Sequence, residues 1–162
     1  MPQPRVVVAQ DMDEPPGVGS LWGEVMASIH VSLGCVGYVT NGGVRDLTEV
    51  GLLGFAYFAA SVLVSHAYVH MVDFGAPVEV GGVTVQPGQL IHADQHGVLL
   101  IPHEVAPYLA QVAEAHDALE QEFIHQIRMA GLTVERLRTE RDAFQRRRAM
   151  LKPPAGFAPA QR

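Results

Sequence analysis

Residues 15–46 read PPGVGSLWGEVMASIHVSLGCVGYVTNGGVRD, and this stretch decides the fold. Leu21, Val25, Ile29 and Leu33 recur at every fourth position, the stripe of a helix packed on a sheet, with Gly34 as its stop. The next run, CVGYVT, alternates and is rich in β-branched and aromatic residues, which predicts a strand; Asn41, Gly42 and Gly43 make the turn after it. Upstream, Arg5, Val6, Val7, Val8 and Ala9 form a short apolar run suited to a buried strand. Strand, loop, helix and strand in this order imply a crossover between parallel strands. Gly17, Gly19 and Ser20 fall where loop meets helix. The turn at residues 20–24 is therefore expected to cradle an anion, because the first amides of a helix lack internal partners and carry partial positive charge. Arg45 and Asp46 leave the second strand at its C-terminal end, the rim on which such units bind ligands. The working picture is a small acid held by amides and a guanidinium, with a carboxylate alongside for a metal ion.

The 162 residues are 48% hydrophobic, enough for one main core. No apolar run approaches bilayer length, so no membrane partner is expected. The start, MPQPRVVVAQD, lacks the charged and apolar regions of a leader. The single Cys35 has no internal disulfide partner, which fits a reducing compartment, and the cytoplasm is the expected location. Charge is unevenly distributed. Residues 1–105 hold ten acids against two bases, Arg5 and Arg45, whereas residues 106–162 hold seven acids and nine bases. An acidic body argues against a nucleic-acid ligand and suits a divalent cation.

Beyond Asp46, residues 47–50 are expected to form one helical turn, and residues 55–59 and 62–65 buried strands. Residues 77–80 and 83–86 flank Gly81 and Gly82 as a two-residue hairpin. Residues 90–93 and 98–101 flank a second turn, Asp94-Gln95-His96-Gly97. After Pro102, Val105, Leu109, Val112, Leu119, Phe123 and Ile127 mark a long helix with one apolar seam. Gly131 ends it, Thr133 caps another, and Arg146, Arg147 and Arg148 close that one. The expected organisation is a core at 1–102, a helical arm at 103–152 and a flexible tail at 153–162.

Arg45 and Asp46 are the leading chemical candidates. Alone, such a pair reads equally as a surface ion pair of little energetic value. Here it follows a glycine-rich turn, and Arg45 is the one fixed cation inside the acidic body. Arginine clamps a carboxylate in bidentate fashion, and aspartate holds a hard cation directly or through water. Glu24 sits in the first helical turn, where the dipole favours a negative side chain regardless of function. Trp22 reads as packing or a pocket wall. The histidines form two pairs, His66 with His70 and His92 with His96. The spacing of the first fits zinc ligation if it is helical, and its members share a face even as a strand. There is no H-E-x-x-H and no CxxC, so structural or interface roles are the better reading, and His96 reads as a tolerated turn residue. The only lysine is Lys152 in the tail, which leaves no buried amine for Schiff-base chemistry. Carbonyl chemistry on this chain would need a metal as its electrophile.

The order GSLWGEVMA, GCVGYVTNGGVRDL, then PVEVGGVTVQPGQLIHADQHGVLLIP resembles the RraA-like family, which includes 4-hydroxy-4-methyl-2-oxoglutarate aldolases that also decarboxylate oxaloacetate, and the regulator of ribonuclease E activity. The resemblance covers about residues 5–102. It implies an α/β fold, a three-layer β/β/α swivelling-domain-like core with a C-terminal helical extension, assembled as a homotrimer or hexamer with sites between subunits. Relative to the family pattern the core is N-terminally shortened. By the same resemblance Gly23, Glu24, Val25 and Met26 line the substrate, Arg45 binds the carboxylate of the pyruvyl part, and Asp46 holds Mg²⁺ or Mn²⁺. The implied chemistry is class II: the metal polarises the 2-oxo group and stabilises a pyruvate enolate as the C–C bond breaks. Arg45 followed by Asp46 favours a catalytic member over the ribonuclease regulators. Two departures bear on substrate: His96 stands where the family turn has its second Asp, and Gln89 replaces the Asp of Pro-Gly-Asp.

Two main readings follow. The first is a metal-dependent lyase that releases pyruvate from a small 2-oxo acid. The second is a non-catalytic regulator that binds ribonuclease E or another protein partner. A zinc hydrolase built on His66 and His70 is a third.

Overall fold

A computed structural model describes residues 3–151. The apolar run becomes β1 (Arg5–Ala9), the helix α1 (Glu24–Ser32) and the alternating run β2 (Cys35–Thr40). Strands β1 and β2 pair in parallel, from Val6 opposite Gly37 to Ala9 opposite Thr40, with a register shift at Arg5. This is the expected crossover unit. A short β3 (Gly43–Val44), α2 (Leu47–Leu52), β4 (Ala56–Phe58) and β5 (Ser61–Val62) follow. β4 adds in parallel to the other edge of β2, so β2 is central, and β3 pairs with β5. Gly37 belongs in that central strand for a packing reason: a Cβ there would lie 3.0 Å from the Ala56 carbonyl oxygen.

The core is aromatic. Trp22 is only 3% exposed and stacks on Tyr38 with ring centroids 3.9 Å apart; Phe55, Val44, Val50, Cys35 and Ala27 complete the cluster. Trp22 is thus a packing residue.

Two expectations about α1 are corrected. The helix begins at Glu24 with Gly23 as N-cap, so Ser20 does not lie in its first turn. Ser20 is fully buried in a parallel bridge to His66, and its hydroxyl donates to the Trp22 carbonyl at 2.9 Å. The stripe expected to face the sheet lies outside it: Val25 is 73%, Ile29 49% and Leu33 56% exposed. Ala27 is the buried position instead, and His30 lies against the Trp22 ring. Four-residue spacing identifies an apolar stripe but not what covers it, and here the large indole selected the neighbouring, smaller face.

Two hairpins follow, β6 (Val78–Val80) with β7 (Val83–Val85), and β8 (Leu90–Asp94) with β9 (Gly97–Ile101). Gly81 and Gly82 both have positive φ, 61° and 77°, the conformation a two-residue hairpin of this kind requires. The described residues divide into two compact units, one running to Ile101 and one starting at Pro102. The second is a helical hairpin, α3 (Ala106–Arg128) and α4 (Val134–Met150), joined by stacked Phe123 and Phe144 and an Arg147–Glu122 ion pair. Thr133 caps α4, its hydroxyl accepting from the Arg136 amide. The tail at 153–162 lies outside the described residues. No helix among those described is long and apolar enough to cross a membrane.

Candidate functional site

The C-terminal rim of the parallel sheet gathers Gly23, Arg45 and Asp46. Arg45 follows β3, and its backbone amide bonds to the Trp22 carbonyl at 3.0 Å. Its guanidinium donates through Nη1 to the Ser20 carbonyl at 3.0 Å, and its Nε stands 3.6 Å from Asp46 Oδ2. Asp46 caps α2 in a left-handed conformation, φ 58° and ψ 43°, the one non-glycine residue with positive φ among those described. Such backbone costs energy and concentrates at functional sites.

The helix start expected to cradle an anion lies at Glu24, and its first amide is already taken by the protein itself. Asp46 Oδ2 accepts the Glu24 amide at 2.9 Å, so this carboxylate caps the start of α1. The next amides, of Val25 and Met26, have no intramolecular acceptor among the described residues. Asp46 Oδ1 and Arg45 Nη2 are likewise uncommitted there. Two amides, the Arg45 Nη2 nitrogen and one carboxylate oxygen are thus left without a partner around Gly23, Arg45 and Asp46 among the described residues. The Arg45 and Asp46 side chains are 24% and 38% exposed, open to a ligand yet held.

Gly23 makes this approach sterically allowed. A Cβ there would lie 2.2 Å from Asp46 Oδ2 and 2.9 Å from Arg45 Nε. The Glu24 side chain is exposed, and Met26 packs against the core cluster. A residue the sequence reading passed over also belongs here. Tyr57 of β4 donates its hydroxyl to the Gly23 carbonyl at 3.2 Å. Burial, then the nearby Asp46 carboxylate and Tyr38, push its phenol up to about 12, against the opposing pull of Arg45. Its only sequence signal was an aromatic in a strand beside the rim.

The histidine pairs form no ligand set. His66 and His70 lie on irregular, exposed backbone; the His66 ring contacts the Ala67 carbonyl and His70 packs edge-on to Tyr68. The spacing predicted a shared face only for regular structure. His92 and His96 both lie near the Asp94 carboxylate, at 3.6 and 3.3 Å, on an exposed hairpin. There the His96 amide, then its imidazole, hold the Asp94 carboxyl below its usual range. Among the described residues, one set of three or more metal-type ligands has its donor atoms within 4.8 Å of one another: His116, Asp117 and Glu120 on α3. Asp46 belongs to no such set of three, so a cation there would rely mainly on Asp46 and on oxygens from water or substrate. Magnesium tolerates this, because it keeps several waters and takes further oxygens from its substrate. The hard oxygen at Asp46 fits such an ion.

A glycine-shaped rim with an arginine–aspartate pair, on a parallel crossover core, defines the class as an α/β protein. The RraA-like family, Aldolase/RraA, matches the chain over residues 1–100, and the chain belongs to that family. A Halalkalibacterium halodurans protein provisionally named 4-hydroxy-4-methyl-2-oxoglutarate aldolase is 28% identical over 97 residues, covering 59% of this chain and 46% of that protein. Among solved structures, an uncharacterized Pseudomonas syringae protein superposes with a TM-score of 0.66 at 25% identity, over 82% of this chain and 66% of that one. The RNA-processing inhibitor RraA from Thermus thermophilis gives 0.53 at 26% identity, over 60% and 58%. The chain spans about half, or less, of the length of the curated relatives it matches. The α/β RraA-like fold with C-terminal helices is thereby established.

Proposed function

We propose that this chain is a divalent-metal-dependent lyase that releases pyruvate, by retro-aldol cleavage of a 4-hydroxy-2-oxo acid, by decarboxylation of oxaloacetate, or both. The observation that carries the reading is the shared rim: uncommitted Arg45 Nη2, the free Val25 and Met26 amides and the free Asp46 Oδ1. Arg45 would grip the carboxylate next to the 2-oxo group, with the two amides fixing its plane. Asp46 Oδ1 would hold Mg²⁺ or Mn²⁺. That ion supplies the Lewis acid for the 2-oxo group. The sequence offers no alternative amine, since its only lysine is Lys152. Aldolase names among the relatives support the same chemistry.

The test is pyruvate release from oxaloacetate with and without Mn²⁺. Arg45→Ala and Asp46→Asn are expected to lower metal-dependent turnover about 10²- to 10³-fold, the scale for a lost charge-stabilising group. Asparagine keeps an acceptor for the Glu24 amide, so the helix start survives. Turnover unchanged in both variants would overturn the reading.

A homotrimer or hexamer belongs to this proposal. The exposed Val25 and Ile29 on α1 and Leu33 just after it support it, as do Tyr68 and Phe74, 92% and 88% exposed on a segment that begins beside Ser20. Apolar surface of this kind marks an interface.

The same surface, with the inhibitor name of the Thermus relative, favours a second reading as a regulator of ribonuclease E or another partner. Pull-down of such a partner that survives Asp46→Ala, from a parent protein with no lyase activity, would select it.

A further inference from the structure

We propose that Tyr57 is a positioning residue for this site: its hydroxyl holds the Gly23 peptide against the Arg45–Asp46 pair and so fixes where Asp46 presents its free oxygen. The inference rests on the metal-site reading above, and it adds a residue outside the loop, the helix and the Arg-Asp pair.

The Gly23 carbonyl has two donors. The Ala27 amide reaches it at 3.0 Å to close the first turn of α1, and the Tyr57 hydroxyl reaches it at 3.2 Å from the sheet. The phenol therefore ties the edge strand β4 to the helix start. The ring is itself fixed, lying edge-on to Tyr38 and Phe55 with centroids 6.2 and 5.8 Å away and paired in register opposite Tyr38. Packing alone would be met by phenylalanine, as Phe55 in the same aromatic group shows. Only the hydroxyl speaks to Gly23.

Gly23 in turn has no freedom beside the pair. The 2.2 Å separation between its would-be Cβ and Asp46 Oδ2 means that backbone and carboxylate are in van der Waals contact. The Glu24 amide, one residue on, holds the same Oδ2. A displacement of the Gly23 peptide thus moves the amide that orients Asp46, and Oδ1 moves with it. The chain of contacts runs Tyr57 hydroxyl, Gly23 carbonyl, Glu24 amide, Asp46 carboxylate.

The experiment measures Mn²⁺ binding to the full chain by titration calorimetry for the parent, Tyr57→Phe, Tyr38→Phe and Asp46→Asn, with oxaloacetate turnover recorded as a function of Mn²⁺. Tyr57→Phe is expected to weaken Mn²⁺ about 10-fold, the lower end for a group that orients a ligand. Its turnover should recover at saturating Mn²⁺, and Tyr38→Phe should bind as the parent does. A purely structural hydroxyl would lower the thermal midpoint and leave the Mn²⁺ affinity alone. Parent-like affinity in Tyr57→Phe, with binding lost in Asp46→Asn, overturns this proposal and leaves the site reading intact. A parent that binds Mn²⁺ no better than Asp46→Asn overturns both. If Tyr57→Phe is poorly folded, Tyr57→Leu removes the donor as well, and parent-like affinity there would overturn the proposal.

Discussion

Asp46 satisfies a helix and keeps half of its carboxylate for something else. One oxygen caps α1 through the Glu24 amide, and the other has no partner among the described residues. Gly23 is the residue that permits this. Gly23→Ala would push a methyl group into Asp46 Oδ2, since the built Cβ falls 2.2 Å from it. Pyruvate release from oxaloacetate is expected to fall about 10²-fold, the cost of misplacing a reacting group by roughly an ångström. Far-UV circular dichroism should change little. Tyr57 supplies a pH signature at the same scale. Its folded phenol titrates near 12 rather than 10.0, so the folded state binds this proton more tightly than the unfolded chain does. The contribution is intact below pH 10.0 and is lost as pH rises toward 12. Burial also raises the Tyr38 phenol, so tyrosinate absorbance at alkaline pH should show late phenols, one of which Tyr57→Phe removes.

Among the elements, α1 shows how an amphipathic pattern misleads. Its apolar stripe was legible, and so were its stop at Gly34 and the following strand. The direction of the stripe was not, because Val25 and Ile29 look alike to a periodicity whether a sheet or another chain covers them. Val25→Asp with Ile29→Asp is expected to leave helix content unchanged and to shift light-scattering mass toward the single chain. An unchanged mass would remove α1 from the interface. Hairpins were easier to read. Gly81 and Gly82 carry a local backbone requirement, and β6 and β7 pair across them as that requirement dictates. The histidine pair at 66 and 70 was the opposite case. Its spacing had meaning only on regular backbone, which that segment does not adopt.

For the molecule as a whole, charge and composition announced an acidic body with one useful cation, and motif order announced the family. The α/β crossover core, its parallel strands and the helical hairpin after Pro102 follow from local patterns: apolar runs, periodic stripes, glycine stops and a threonine cap. These are short-range signals, written in consecutive residues. Three things were decided only in three dimensions. Ser20 left the helix start for a buried bridge, Asp46 reached across 22 positions to cap α1, and Tyr57 reached across 34 to hold Gly23. Each depends on contacts between residues distant in sequence, which no local period encodes. The sequence by itself determined which segments form the core and which two side chains stand at its rim; folding decided which amides stay free beside them, because that depends on what else has already taken the neighbouring donors.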